Sequence, residues 1–196
     1  MLGLAAMAGC GGGERQDENE PEAEFNVQVV DASFPARQRL AERSTLRITV
    51  RNAGRTRIPN IAVTVNGFDF DRAGDGELAD PTRPRFAVNG VPVEIGGTPD
   101  AREDVPRGCA TAFVNTWACG PLGPDREKEF RWSVTPVVAG PFRVTYRVGA
   151  GLDGKAVAVT PASGEVPEGV FRGIVSAEPP QTRIGDDGKT IVSGSR

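Results

Sequence analysis

A chain of 196 residues has room for one domain of moderate size with one core, and its 25 Gly, 16 Pro and 6% aromatic content favour short strands over long helices. Its formal net charge is −3, with Arg and Lys scattered among acidic residues, so the sequence presents no phosphate-neutralising stripe and nucleic acid is excluded as a partner. The chain contains no His, which removes the commonest general base and metal ligand, and it is read as a non-enzyme.

The chain opens with an apolar run, LGLAAMAG, directly ahead of Cys10. The run is far short of the ~20 apolar residues that span a bilayer. A secretory signal needs a basic segment, about 7–15 apolar residues and small residues at the cut. Here the last two are present, and a start further upstream would supply the first. After Cys10, GGGERQDENEPEAE is Gly-rich and then acidic, with no residue large and apolar enough to pack, so it reads as a solvated tether. Met7-Ala8-Gly9-Cys10 resembles the lipobox of bacterial lipoproteins, with Met where Leu is usual. The resemblance implies a diacylglycerol on Cys10 and a membrane contact through that lipid. Residues 1–24 would then be signal remnant and tether, and the body would be extracytoplasmic, anchored to the cell membrane or outer membrane. The alternative is a cytosolic start whose Cys10 merely follows small residues.

From residue 25 the pattern has period two, which predicts strands with one buried face. FNVQVVD places Phe25, Val27 and Val29 together, TLRITVRN places Leu46, Ile48 and Val50, and NIAVTVNG places Ile61, Val63 and Val65. A long segment, 68–127, then interrupts the pattern. Its DFDRAGDGELAD stretch partly copies a Ca2+-binding loop, which makes Asp69, Asp71 and Asp75 a weak candidate Ca2+ site against the plainer reading of a polar surface loop. The same three are the only clustered carboxylates that a glycan hydrolase on a β-sandwich could use. Asn89-Gly90 predicts a type I′ hairpin over Val88 to Val91.

With Cys10 assigned to lipid, Cys109 and Cys119 are an even remainder, which in an exported protein predicts a disulfide. Between them, Phe113 and Trp117 either pack into the core, the bridge pinning a long insertion, or form a preorganised surface for a protein or glycan ligand. Alternation resumes in EFRWSVTP and PFRVTYRVGAG, predicting Trp132, Val144 and Tyr146 inward and Arg131, Arg143 and Arg147 toward water. KAVAVT is expected to present Val157 and Val159 to the core, after a second hairpin at Asp153-Gly154. Residues 177–196 hold a third turn signal, Asp187-Gly188, and end the chain as a hairpin or a tail. The GDDGKT stretch fails as a phosphate loop, because Arg183 stands where the first Gly is needed and too little chain follows for a helix.

Short strands punctuated by turn residues predict an all-β sandwich over residues 25–176. Residues 25–67, with Asn52-x-Gly54 closing the second strand, and residues 128–160 resemble the bacterial immunoglobulin-like domains called CARDB. That resemblance implies an immunoglobulin-like antiparallel β-sandwich used in extracellular adhesion or binding, with no catalytic residues to carry over. Segment 68–127 lies outside it. The expected function is a lipid-anchored binding or structural module of the cell envelope, with an accessory subunit of an envelope complex as the neighbouring alternative.

Overall fold

The structure is a computed structural model, which describes residues 20–68, 84–90, 92–95, 109–113, 115–179, 181–185, 187 and 189–194. Its strands are β1 (Ala23–Ser33), β2 (Arg37–Arg39), β3 (Ser44–Asn52), β4 (Ala62–Asn66), β5 (Phe86–Val88), β6 (Val93–Ile95), β7 (Ala110–Phe113), β8 (Thr116–Ala118), β9 (Glu127–Pro136), β10 (Gly140–Gly149), β11 (Ala156–Val159), β12 (Glu168–Ser176), β13 (Gln181–Ile184) and β14 (Ile191–Gly194). Sheet 1 runs β11-β1-β3-β9-β5, with β6 also on β9, and sheet 2 runs β2-β12-β10-β4-β8-β7. Two sheets with their inner faces packed together are the expected all-β, immunoglobulin-like sandwich. Most pairs are antiparallel, while β1–β11 and β2–β12 at the flanks are parallel.

The inner faces are those the alternation predicts. Sheet 1 buries Phe25, Val27, Leu46, Ile48, Val50, Phe130, Trp132 and Val134 against Val63, Val65, Val144, Tyr146 and Val148 of sheet 2. Each strand alternates these with polar residues because one face is in the core and the other in water. At one end Phe34, Phe68, Phe86 and Phe142 interlock, with ring centroids 5.4–6.2 Å apart and mostly edge-to-face, the arrangement that aromatic quadrupoles favour.

Several expectations are corrected. Neither predicted hairpin exists. Strands β5 and β6 do not pair with each other; both lie along β9, where Val88 faces Val134 and Val93 faces Arg131. Asn89-Gly90 sits in the break between them, Asn89 donating through its backbone to Ser133 and through Nδ2 to Thr135. A type I′ turn needs positive φ at both central residues, and only Gly90 (φ 87) has it. Likewise only Gly154 (φ 81) of Asp153-Gly154 is left-handed, and that turn carries the chain from sheet 2 to sheet 1.

Strand β11 turns Ala156 and Ala158 inward and leaves Val157 36% exposed, the reverse of the expected face. The tether boundary also shifts. Glu20 accepts backbone N–H bonds from Leu152, Asp153 and Ala156, each at 2.7 Å, so residues 20–24 belong to the folded body. Within segment 68–127, the described parts are strands that widen both sheets, β5 and β6 on β9 and β7–β8 on β4.

The C-terminal residues form the β13–β14 hairpin. Its turn is held by Asp187, whose carboxylate accepts from the Thr190 hydroxyl and from the backbone N–H groups of Thr190 and Lys189. These bonds, the hydroxyl's first, lower its pKa from 3.8 to about 2. A depressed carboxylate pKa gives a contribution that is complete above the ordinary value and lost as pH falls through the folded one. The Lys189 and Thr190 amide resonances should therefore hold their positions down to mildly acidic pH and titrate with a midpoint at about pH 2. A midpoint at the ordinary 3.8 would mean that the turn is not closed by Asp187 in solution.

Candidate functional site

The disulfide-closed hairpin is the first feature that singles out one side of the sandwich. Cys109 and Cys119 are bridged, S–S 2.02 Å and Cα–Cα 4.0 Å, across the base of β7–β8. Asn115 turns the hairpin with φ 62, a left-handed value that Asn tolerates better than most residues. The pairing shifts register between Thr111 and Phe113, so Phe113 comes opposite Thr116 and shares its outward face. Phe113 is 53% exposed, whereas Trp117 is buried and packs edge-on against Trp132 of sheet 1, centroids 5.6 Å apart. The two aromatics are thus divided, one offered to solvent and one locking the sheets together. A binding surface that uses both is ruled out by this geometry.

Replacing both cysteines by Ala should cost about 3 kcal/mol on the chain-entropy estimate for a loop of this size. Urea unfolding of oxidised protein and of the double variant would measure it, and mass spectrometry of unreduced protein should find the two peptides joined. Recovery of both thiols alkylated without reductant would contradict the bridge.

Phe113 stands at one corner of the outer face of sheet 2. Cross-strand registers place Phe113, Thr116, Thr64 and Arg147 in one row, Arg143 opposite Arg172 in another, and Pro141 opposite Ile174 in a third. Arg143, Arg147 and Arg172 are exposed, and Val170 and Ile174 stand out at 40% and 55%. The only acidic residue on the outward positions of these strands is Glu168, opposite Arg147. Like charges directly opposite each other cost stability, so the Arg143–Arg172 pair is a local expense of the free protein. On the outer face of sheet 1 two arginines meet acids, Arg51 pairing with Asp125 at 3.1 Å and Arg131 with Glu129, while Arg47 lies opposite Arg131.

The remaining sequence-derived sites are not brought together here. Cys10 and the Ca2+ candidates Asp69, Asp71 and Asp75 lie outside the described residues. Among the described residues no group of three or more His, Cys, Asp or Glu side chains could hold a metal ion, and no helix is long and apolar enough to cross a membrane. Sequence reasoning found Arg143 and Arg147 as exposed residues and missed Val170, Arg172 and Ile174, since β12 was not assigned as a strand. Its signal is the spacing of Gly169 and Gly173.

No protein-family model matches this sequence, and no curated protein matches it. Similar solved structures include the CARDB domain of a Pyrococcus furiosus protein in solution, 18% identical, TM-score 0.46, covering 80% of this chain and 100% of that one. A crystal structure of the same domain in complex with di-metal ions is 16% identical, TM-score 0.44, covering 80% and 98%. A cohesin module from a Clostridium perfringens family 33 glycoside hydrolase is 8% identical, TM-score 0.43, covering 79% and 98%. The family named by the first two is the one that residues 25–67 and 128–160 resemble.

Proposed function

We propose that this chain is a lipid-anchored, extracytoplasmic immunoglobulin-like binding module of the bacterial cell envelope, without catalysis of its own, and that its partner is a protein with an acidic surface docked on the outer face of sheet 2. The observation that carries the docking is the opposed Arg143 and Arg172 flanked by exposed Val170 and Ile174. Arginine and apolar side chains together are the composition of interface cores, and an acidic partner would relieve the repulsion between the two guanidiniums. Support for anchoring comes from Met7-Ala8-Gly9-Cys10 and the acidic stretch behind it, and support for export from the Cys109–Cys119 bridge, since such bonds persist in oxidising compartments.

Two measurements test the reading separately. Full-length precursor should partition into detergent, and Cys10→Ala should move it to the aqueous phase; equal partitioning of the two would overturn the anchor. A photo-crosslinking residue at Thr145, between Arg143 and Arg147, should give one protein adduct in envelope preparations, joined through an acid-rich peptide. The adduct should disappear when Arg143 and Arg172 are both changed to Glu. Crosslinking that survives the charge reversal, or that joins a peptide without acidic residues, would overturn the docking surface.

A further inference from the structure

At the end of the sandwich where the chain crosses from sheet 2 to sheet 1 lies a shallow, solvent-open cleft of about 520 Å3 lined by Arg37, Arg39, Arg43, Arg47 and Arg131. Four of them fall within residues 37–47, and strand pairing brings Arg131 to them. Strand β2 lies parallel to β12, Arg37 beside Ile174 and Arg39 beside Ser176, while Arg47 faces Arg131 across β3–β9. The crossing between β2 and β3 is pinned on both sides, Leu40 N–H donating to Ser176 and Ala41 N–H to Pro136. Ala41 adopts φ 62 there, a value that non-Gly residues avoid and that concentrates at functional sites.

The charge in this cleft is unbalanced. Among the described residues its one acidic lining residue is Glu42. Among the described residues, only Arg131 of the five arginines has an ion-pair partner, Glu129. Four arginines without an ion-pair partner among the described residues are therefore gathered at one place by a chain whose formal net charge is −3.

A second observation is independent of charge. Gln38, 7% exposed, donates through Nε2 to the Pro35 carbonyl at 2.9 Å, and its Oε1 has no partner among the described residues. Ser44 Oγ, at the inward position that continues the Leu46, Ile48 and Val50 face, is likewise buried without a partner among the described residues. Both residues line the cleft, one from each sheet. Buried polar atoms are nearly always hydrogen-bonded, and each exception calls for an occupant or an explanation.

We infer that this cleft binds an acidic oligosaccharide, its carboxylates on the unpaired arginines, a sugar hydroxyl donating to Gln38 Oε1 and another oxygen accepting from Ser44. A guanidinium binds a carboxylate through two parallel bonds, and the neighbouring hydroxyls of a uronate sugar supply the donor that an unpaired amide oxygen requires. The volume, about 520 Å3, falls in the ~300–1,000 Å3 range of small-ligand sites and far exceeds a single oxyanion. The cleft adjoins the docking face, Arg37 lying beside Ile174, but the inference does not rest on the function proposed above.

The test is titration calorimetry on the full chain at physiological salt with trigalacturonate, with neutral galactotriose and with inorganic phosphate. Trigalacturonate should bind saturably, galactotriose not at all, and phosphate at least tenfold more weakly than trigalacturonate. Changing exposed Arg43 and Arg47 together to Ser should weaken trigalacturonate at least tenfold while leaving the melting temperature of the free protein unchanged. Arg147→Ala, on the outer face of sheet 2, should leave that affinity as it is. Gln38→Met should weaken trigalacturonate without altering the response to phosphate. Equal binding of phosphate and trigalacturonate would overturn the sugar assignment, and undiminished binding by the Arg43/Arg47 variant would overturn the site.

Discussion

Trp132→Ala is expected to destabilise the protein by about 3–5 kcal/mol, the range of large-to-small changes at fully buried aromatic positions. Trp132 has no solvent exposure, lies opposite Leu46 in β9–β3, and meets Trp117 edge-on at 5.6 Å and Phe130 at 6.4 Å. Truncation therefore opens a cavity against both sheets and removes the contact through which the disulfide hairpin locks onto sheet 1. Trp132→Phe should behave differently. The indole Nε1 has no hydrogen-bond partner among the described residues, so Phe loses ring volume but also removes an unsatisfied donor. The net change should stay below about 1.5 kcal/mol, as for other shape-preserving core substitutions. Arg143→Ala, on the outward face of β10, should fall within about 0.5 kcal/mol of neutral. Urea midpoints of the three variants measure the series. A loss at Arg143 as large as at Trp132 would mean that the faces of β9 and β10 are reversed.

The strands that could be read from the sequence are those in which burial on one side is written as large apolar residues at every second position. Leu46, Ile48 and Val50 of β3, Phe130, Trp132 and Val134 of β9, and Val144, Tyr146 and Val148 of β10 all obey this, and all are buried. Strand β12 breaks the rule for a packing reason. Its inward positions include Gly169 and Gly173, where a Cβ would lie 2.6 Å from the Tyr146 ring and 2.5 Å from the Phe142 ring. The neighbouring strand's aromatics occupy the space that side chains of β12 would fill, while Val170 and Ile174 face outward. With Phe171 and Val175 inward and Val170 and Ile174 outward, apolar residues fall on both faces and no alternation marks the strand.

The same logic reverses β11, where Ala156 and Ala158 rather than the valines fit against the core. Turn dipeptides misled for a different reason. Asn-Gly and Asp-Gly specify one left-handed residue, at Gly90 and Gly154, and leave open whether a hairpin, a break along a strand or a crossing uses it. Of the arginine cleft the chain shows the run Arg37, Arg39, Arg43 and Arg47, but not its junction with Arg131, which comes only through the β2–β3 crossing and the β3–β9 register.

Asn52→Ala is the second substitution with a large expected effect, about 3 kcal/mol, although in the sequence this residue stands out only as part of Asn52-x-Gly54. The side chain is fully buried. Its Nδ2 donates to the carbonyls of Leu122 and Thr56, both at 2.9 Å, and its Oδ1 accepts from Gly54 N–H at 3.0 Å. The backbone of Asn52 also donates to Arg126 and accepts from Asp125, so one residue ties the end of β3 to the chain that leads into β9. Alanine leaves the Thr56 carbonyl and the Gly54 N–H without this partner and the Leu122 carbonyl with Ile58 N–H alone, at about 1–3 kcal/mol for each lost bond that water cannot replace. Asn52→Asp separates this account from simple loss of packing. The carboxylate keeps the size and the acceptor for Gly54 but turns a charged oxygen on two carbonyls, which burial and repulsion penalise. Its pKa should rise on folding, so its destabilisation should match or exceed that of Ala at pH 7 and ease as pH falls toward 5, where the protonated acid can donate to one carbonyl. The Ala variant should show no such relief relative to the parent. Urea unfolding at the two pH values measures both. A loss below about 0.5 kcal/mol for Asn52→Ala, the scale of ordinary surface changes, would show that these bonds are replaced by water without cost and that Asn52 does not hold the two segments together.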